Sequence, residues 1–305
     1  MDLPGLHRAL DRLAMWVEDR VEREPEGWRE GPSGPLACFG PLGELPPPPS
    51  GPGTWSFPSP SGAPGERISL RVARARGSRR GTALLVPPWK LPSARLLGGW
   101  VRLLARCGLD VWLVTPPHHL DRGGPGERRG EGFVSPDLSK LRRSLEQLVV
   151  EIRLCARLAA GHGEVGVVGL SLGALGAALA ATGPEPLDFA ALVAPPGDLT
   201  AVLGETPIGR RYAALARRAG SPLPPPAALR AALAPFDPAA RAPTARRILV
   251  AAGLHDRIVL GGPERLARAW GLAPRAYPRG HLTLLFACRA LRRDLGAFLR
   301  GGYFL

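Results

Sequence analysis

Apolar residues recur at helical spacing from Leu6 to Val21, at Leu6, Leu10, Leu13, Trp16 and Val17, and predict an amphipathic helix packed through them on the main body. From Gly31 to Gly65 glycine and proline crowd together and no periodicity survives, so residues 1–66 read as an N-terminal helix followed by an irregular wrapping segment. Ile68-Ser69-Leu70-Arg71-Val72 then alternates apolar and polar positions, the pattern of a half-exposed edge strand.

Beyond Thr82 short apolar runs alternate with helical stretches. Ala83–Val86, Leu109–Val114, Val165–Val168, Phe189–Val193 and Arg247–Ala251 read as strands, and Ser93–Cys107, Leu138–Leu158, Gly173–Ala181 and Leu282–Leu299 as helices. Alternation of this kind predicts an α/β fold, a mostly parallel sheet with helices on both faces, over residues 67–305. It is interrupted at about 197–243 by a proline-punctuated, Arg/Ala-rich insertion with helical pieces near Gly209–Ala219 and Ala227–Leu233.

Composition narrows the functional classes. Hydrophobic residues make up 45% and charged residues 22% of 305, enough apolar side chain for a buried core and too much for general disorder. The formal charge of +14 raises the question of a polyanionic partner. Lys90 and Lys140 are the only lysines among 40 basic residues, and the arginines are scattered in pairs such as Arg79-Arg80 and Arg217-Arg218 without a basic block or interleaved aromatics, so no nucleic-acid partner is expected. Cys38, Cys107, Cys155 and Cys288 show no ligand spacing and no HExxH pattern exists, so neither a metal, another cofactor nor a disulfide framework is expected, and the cysteines read as reduced, partly buried thiols. The first residues lack a charged-then-apolar leader, and no apolar run is long enough to span a bilayer, which gives a cytoplasmic expectation.

Gly169-Leu170-Ser171-Leu172-Gly173 follows an apolar strand and opens a helix of small residues. A capping serine in a glycine-rich turn would share these letters; the strand before and the helix after favour a nucleophile held on a tight turn at a helix N-terminus. A serine hydroxyl needs a base within hydrogen-bond reach and a third group to orient that base. His281, in the loop before the last helix, is the candidate base. Asp256, just past the strand ending near Ala251, and Asp198, past the preceding strand, are the candidate acids.

Taken together, residues from about Ile68 to Leu299 resemble the α/β-hydrolase superfamily of serine hydrolases, and the long Pro116–Pro136 connection and the Pro-Pro-Trp loop resemble one of its less characterised bacterial branches. The resemblance implies a catalytic triad of Ser171, Asp256 and His281, since the order Ser, Asp, His and the Asp256-Arg257-Ile258-Val259 turn match that family, and it makes Asp198 the alternative acid. It also implies that the insertion is a lid.

For the oxyanion hole the resemblance implies backbone donors from Leu172 and from the loop Leu85–Lys90. Pro87 and Pro88 replace the His-Gly pair common among relatives and have no N–H, so the second donor falls to Trp89, with Lys90 as the alternative. The prolines either pre-organise that donor or mark a remodelled hole. The implied function is a carboxylesterase- or lipase-like enzyme cleaving a small-molecule acyl ester through an acyl-enzyme on Ser171, with acyltransferases and catalytically silent ligand-binding homologues as alternatives within the same fold. Leu199, Val202, Leu203, Ile208 and Tyr212 of the insertion would suit an apolar acyl group, and Arg128 and Arg129 of the Pro116–Pro136 loop would hold an anionic head group.

Overall fold

In the computed structural model, residues 5–7, 9–11, 26–31, 34–60, 66–123, 130–185 and 187–301 are described. The strand β3 (Gly81–Val86) shows why the sheet is covered on both sides: Leu84 and Val86 enter one apolar cluster, Ala83 and Leu85 the other, and all four are fully buried. The same two-residue period sorts β5 (Glu164–Leu170) and β6 (Phe189–Val193), where Val167 and Leu192 face one layer and Val168 and Val193 the opposite one.

With β1 (Gly53–Pro58), β2 (Arg67–Ala73), β4 (Leu109–Thr115), β7 (Arg247–Gly253) and β8 (Arg275–Tyr277), these strands form one eight-stranded sheet of order β1-β2-β4-β3-β5-β6-β7-β8. β1 pairs antiparallel with β2 and β2 antiparallel with β4, and every other pair is parallel. The order reverses at β3, which lies between β4 and β5, so a crevice opens beyond the carboxyl ends of the central strands.

Two helical layers enclose the sheet. On one face lie α2 (Leu138–Ala159) and α3 (Leu172–Ala180), and on the other α1 (Gly98–Arg106) and α9 (Arg289–Leu299). The segment between β6 and β7 carries α4 (Leu199–Glu205), α5 (Pro207–Arg218) and α6 (Pro226–Leu233), and α7 (Gly262–Ala269) and α8 (His281–Ala287) follow β7 and β8. α3 is buried along its whole length, so its small residues are what let it lie close against the sheet and α2.

Four sequence-based expectations change. β2 is not an edge: β1, inside the glycine- and proline-rich stretch, pairs along its outer side, and Ile68 and Leu70 are fully buried. Six extended residues framed by proline gave too weak an alternation to be read as a strand. The Ser93–Cys107 helix begins as a 3-10 turn, Ala94–Leu97, before α1. The C-terminal helix is two, because Cys288 adopts an extended backbone and its sulfur caps Leu291 N–H of α9. All four cysteines are free and buried, rather than partly buried. Among the described residues no helix is long and apolar enough to cross a membrane.

Candidate active site

Ser171 stands between the last residue of β5 and the first of α3 with φ 52° and ψ −115°, a left-handed conformation that costs a non-glycine residue on the order of 1–3 kcal/mol. Two glycines make the turn possible. A Cβ on Gly169 would lie 2.5 Å from Ala174 Cα, and one on Gly173 would lie 2.3 Å from Val86 O and 2.5 Å from Pro87 O. The missing Cβ at Gly173 brings the start of α3 against the loop after β3. The serine is anchored by its own N–H, which donates to Val193 O at 2.9 Å.

Three strand ends converge on this turn. His281 Nε2 lies 2.9 Å from Ser171 Oγ, and His281 Nδ1 lies 2.7 Å from Asp256 Oδ2. Asp256 Oδ1 accepts hydrogen bonds from Ile258 N–H at 2.8 Å and Val259 N–H at 3.2 Å, so both carboxylate oxygens are fixed. The loops after β7 and β8 are laced together, His255 N–H donating to Arg279 O at 3.0 Å and Leu254 N–H to Tyr277 O at 2.8 Å. That lacing sets Asp256 beside His281.

The side chains of His281 and Asp256 are only 5% and 4% exposed. Burial pushes the Asp256 carboxyl up, yet the facing His281 and the bonds donated to it win and hold it below the ordinary carboxylate range. Burial pushes His281 down, and the Asp256 and Asp11 carboxylates together hold it above the usual imidazole value. An anionic Asp256 with Nδ1–H directed at it leaves Nε2 as the acceptor toward Ser171, the arrangement a general base requires.

The alternative acid does other work. Asp198 Oδ1 accepts from Thr200 N–H at 2.9 Å and Ala201 N–H at 3.1 Å, capping α4. Leu172 is the first residue of α3, where an N–H has no carbonyl one turn earlier to bond. Trp89 sits in the turn after β3, and its indole N–H donates to Gly130 O at 2.7 Å. Lys90 adopts φ 59°, with its ammonium 4.8 Å from the Trp89 ring centroid.

A cavity of about 70 Å³, almost wholly apolar, opens on Ser171 between Leu172, Trp89, Phe133 and Ile258. From the segment between β6 and β7, Leu199, Val202, Leu203 and Ile208 line it. Tyr212 stands behind them, its ring 6.4 Å from that of Trp89 and its hydroxyl bonded to Val134 O at 2.8 Å.

Arg128 and Arg129 lie outside the described residues. Of the same loop, Arg122 turns inward, donating to Thr115 O at 2.7 Å and with both terminal nitrogens to Glu151, at 2.5 and 2.9 Å. Its fork is committed inside the protein.

Sequence reasoning missed the N-terminal contribution. Of the apolar positions expected to pack inward, Leu13, Trp16 and Val17 lie outside the described residues, and Leu6 and Leu10 are 39% and 37% exposed, whereas His7 and Asp11 are buried at 6% and 3%. The Asp11 carboxylate accepts from His281 N–H at 2.8 Å and Leu282 N–H at 3.0 Å, and His7 Nδ1 lies 3.0 Å from Thr283 Oγ1. The one available signal was the His7/Asp11 spacing of four, which puts two polar groups on one helical face.

No family model matches the sequence, and no curated protein is similar to it in sequence. Solved structures are similar in fold. A thermostable esterase from Pseudomonas putida matches 100% of this chain and 93% of its own at 16% identity and TM-score 0.56. An esterase from Pyrobaculum calidifontis matches 99% of this chain and 93% of its own at 16% identity and TM-score 0.54. EstE1, a thermophilic carboxylesterase cloned from a metagenomic library, matches 100% of this chain and 99% of its own at 16% identity and TM-score 0.55.

Proposed function

We propose, from the α/β-hydrolase fold that this chain adopts, that it is a serine esterase cleaving a carboxylic ester through an acyl-enzyme on Ser171. The observation that carries the reading is the unbroken chain from Ser171 Oγ through His281 to Asp256, at 2.9 and 2.7 Å, beside an apolar cavity at the carboxyl edge of the sheet. Likeness in fold to the named esterases supports it.

In this reading the acyl group enters the apolar cavity with its carbonyl carbon over Ser171 Oγ. His281 Nε2 takes the hydroxyl proton as oxygen attacks, and the imidazolium is stabilised by Asp256. Negative charge collects on the former carbonyl oxygen, where the backbone N–H groups of Leu172 and Trp89 are the donors. His281 returns the proton to the departing alkoxide, and the alcohol leaves. Water then enters and gives a proton to the same nitrogen as its oxygen attacks the acyl carbon; the bond from that carbon to Ser171 Oγ breaks, His281 passes the proton to Oγ, and the acid leaves.

The test is labelling by a fluorophosphonate together with p-nitrophenyl ester hydrolysis. Ser171→Ala is expected to abolish labelling and to lower turnover on the order of a million-fold while the protein stays folded. Absence of labelling in the unaltered protein would make this a silent binding member of the fold. Release of a transesterified product on adding alcohols, in place of the free acid, would make it an acyltransferase.

A further inference from the structure

The helix that carries the base begins at the base. α8 runs from His281 to Ala287, and its N-cap is Gly280, which has no side-chain oxygen to satisfy the first N–H groups. Those donors are instead met from the far end of the chain, by Asp11, 270 residues away: one carboxylate oxygen accepts from His281 N–H and the other from Leu282 N–H, at 2.8 and 3.0 Å. Asp11 is 3% exposed.

A second observation supports a built contact. Gly280 has φ −82°, which any residue can adopt, yet a Cβ there would lie 2.6 Å from Asp11 Oδ2 and 3.0 Å from His7 O. Glycine at 280 is thus required by the approach of the N-terminal segment and not by the turn. His7, one helical turn earlier, closes the same junction: it reaches Thr283 Oγ1 at 3.0 Å and stacks 6.1 Å from His255, the neighbour of Asp256.

We propose that Asp11 is a positioning residue of the catalytic centre, its carboxylate holding the backbone of His281 so that the imidazole stays aligned between Ser171 and Asp256. The inference rests on the esterase reading above. It differs from simple helix capping because the residue held is the base itself, and a displacement of about 1 Å in such a group costs on the order of a hundred-fold in rate. Asp11 also acts on the imidazole by charge. Among the described residues, the charged or titratable groups that share this junction are His7, His255, Asp256, Arg279 and His281. Burial, helped by the nearby Asp256, holds the Asp11 carboxyl above the ordinary carboxylate range against the two N–H donors and His281, which lower it, and Asp11 in turn supports the charged form of His281.

Two independent lesions and one readout that does not need turnover test this. Asp11→Asn keeps the size and removes the charge and one acceptor, and Gly280→Ala leaves Asp11 in place but drives it from the helix. Each is expected to lower kcat roughly ten- to a hundred-fold with KM within about two-fold. The double variant should be little worse than the worse single, since both break one contact. On the Ser171→Ala background, NMR titration of the His281 imidazole should show its pKa moving down when Asp11→Asn is added, because the carboxylate favours the imidazolium. That measurement stands even if the chain hydrolyses no ester, which separates failure of this inference from failure of the esterase reading. Asp11→Ser replaces the Asn variant should the latter fold poorly. Unchanged kcat in both single variants, or a loss that only tracks the folded fraction while the His281 titration is unmoved, would overturn the proposal.

Discussion

Asp198 and Asp256 are the same side chain placed after neighbouring parallel strands, and their surroundings give them different work. Asp198 spends one oxygen on two N–H groups of α4, whereas Asp256 divides its oxygens between its own turn and His281 Nδ1. Asp256→Asn should lower kcat on the order of ten-thousand-fold by favouring the wrong imidazole tautomer. Asp198→Asn should leave kcat within a few-fold and cost at most about 1 kcal/mol of stability as a weakened cap. Steady-state kinetics and urea midpoints on the two variants separate these outcomes, and a reversed ranking would move the acid to Asp198. In the proposed mechanism hydrolysis requires neutral His281. Because Asp256 and Asp11 hold its pKa above the ordinary imidazole value against the opposing effect of burial, the acidic limb of kcat/KM should lie above pH 6.5, activity falling as pH drops through the raised value. The stability linkage has the opposite sense: protonated His281 stabilises the fold below its unfolded pKa, and that contribution is lost as pH rises through the folded value. A pH profile with its limb below 6.5 would contradict the pairing.

At the level of elements, close approach decides the site. α3 can start beside the β3 loop only because residue 173 has no Cβ, and the two atoms a side chain would strike are backbone carbonyls, which cannot swing aside. Gly173→Ala should therefore cost about 1–3 kcal/mol as overpacking, and lower kcat by roughly a hundred-fold by moving the Trp89 loop away from Leu172. Retained full activity in a folded Gly173→Ala protein would show that this spacing is not needed. Trp100 ties the opposite layer to the same centre. It is fully buried on α1, and its indole N–H donates to Leu285 O of α8 at 2.9 Å. Trp100→Ala should cost about 3–5 kcal/mol, read as a lower urea midpoint. The strands and most helices were legible because periodicities of 2 and 3.6 are local. The break at Cys288 was not, since nothing in Leu282–Leu299 interrupts the apolar pattern there.

Over the whole molecule, many of the arginines behind the +14 charge are committed to internal pairs. Arg74 and Arg79 both reach Asp110, at 2.7 and 2.8 Å, and Arg142 meets Glu146 at 3.0 Å. The wrapping segment is held to α2 by such groups: Arg142 donates to Gly34 O, Ala37 N–H donates to Glu146, and Arg153 bridges Cys38 O to Glu185. Arg153 and Glu185 side chains are 2% and 9% exposed, so removing one leaves the other buried without its counter-charge. Arg153→Met should cost about 3–5 kcal/mol, seen as a lower urea midpoint, with kcat of the folded protein unchanged. A midpoint within error of the unaltered protein would show that the segment is held by other contacts.

The sequence by itself determined the alternating strands and helices and the tight turn at Ser171, because each depends on neighbours within a few positions, while the pairing of 171 with 256 and 281 came from the match of their order to a known family. It left two acids open, mistook β2 for an edge, and placed Leu6 and Leu10 inward where His7 and Asp11 are the buried residues. Only the tertiary structure placed Asp256 on His281, bound Arg122 to Glu151 and brought Asp11 to the first turn of α8. These contacts join residues 25, 29 and 270 positions apart. Their partners are set by where the sheet delivers each loop, and no local periodicity encodes that.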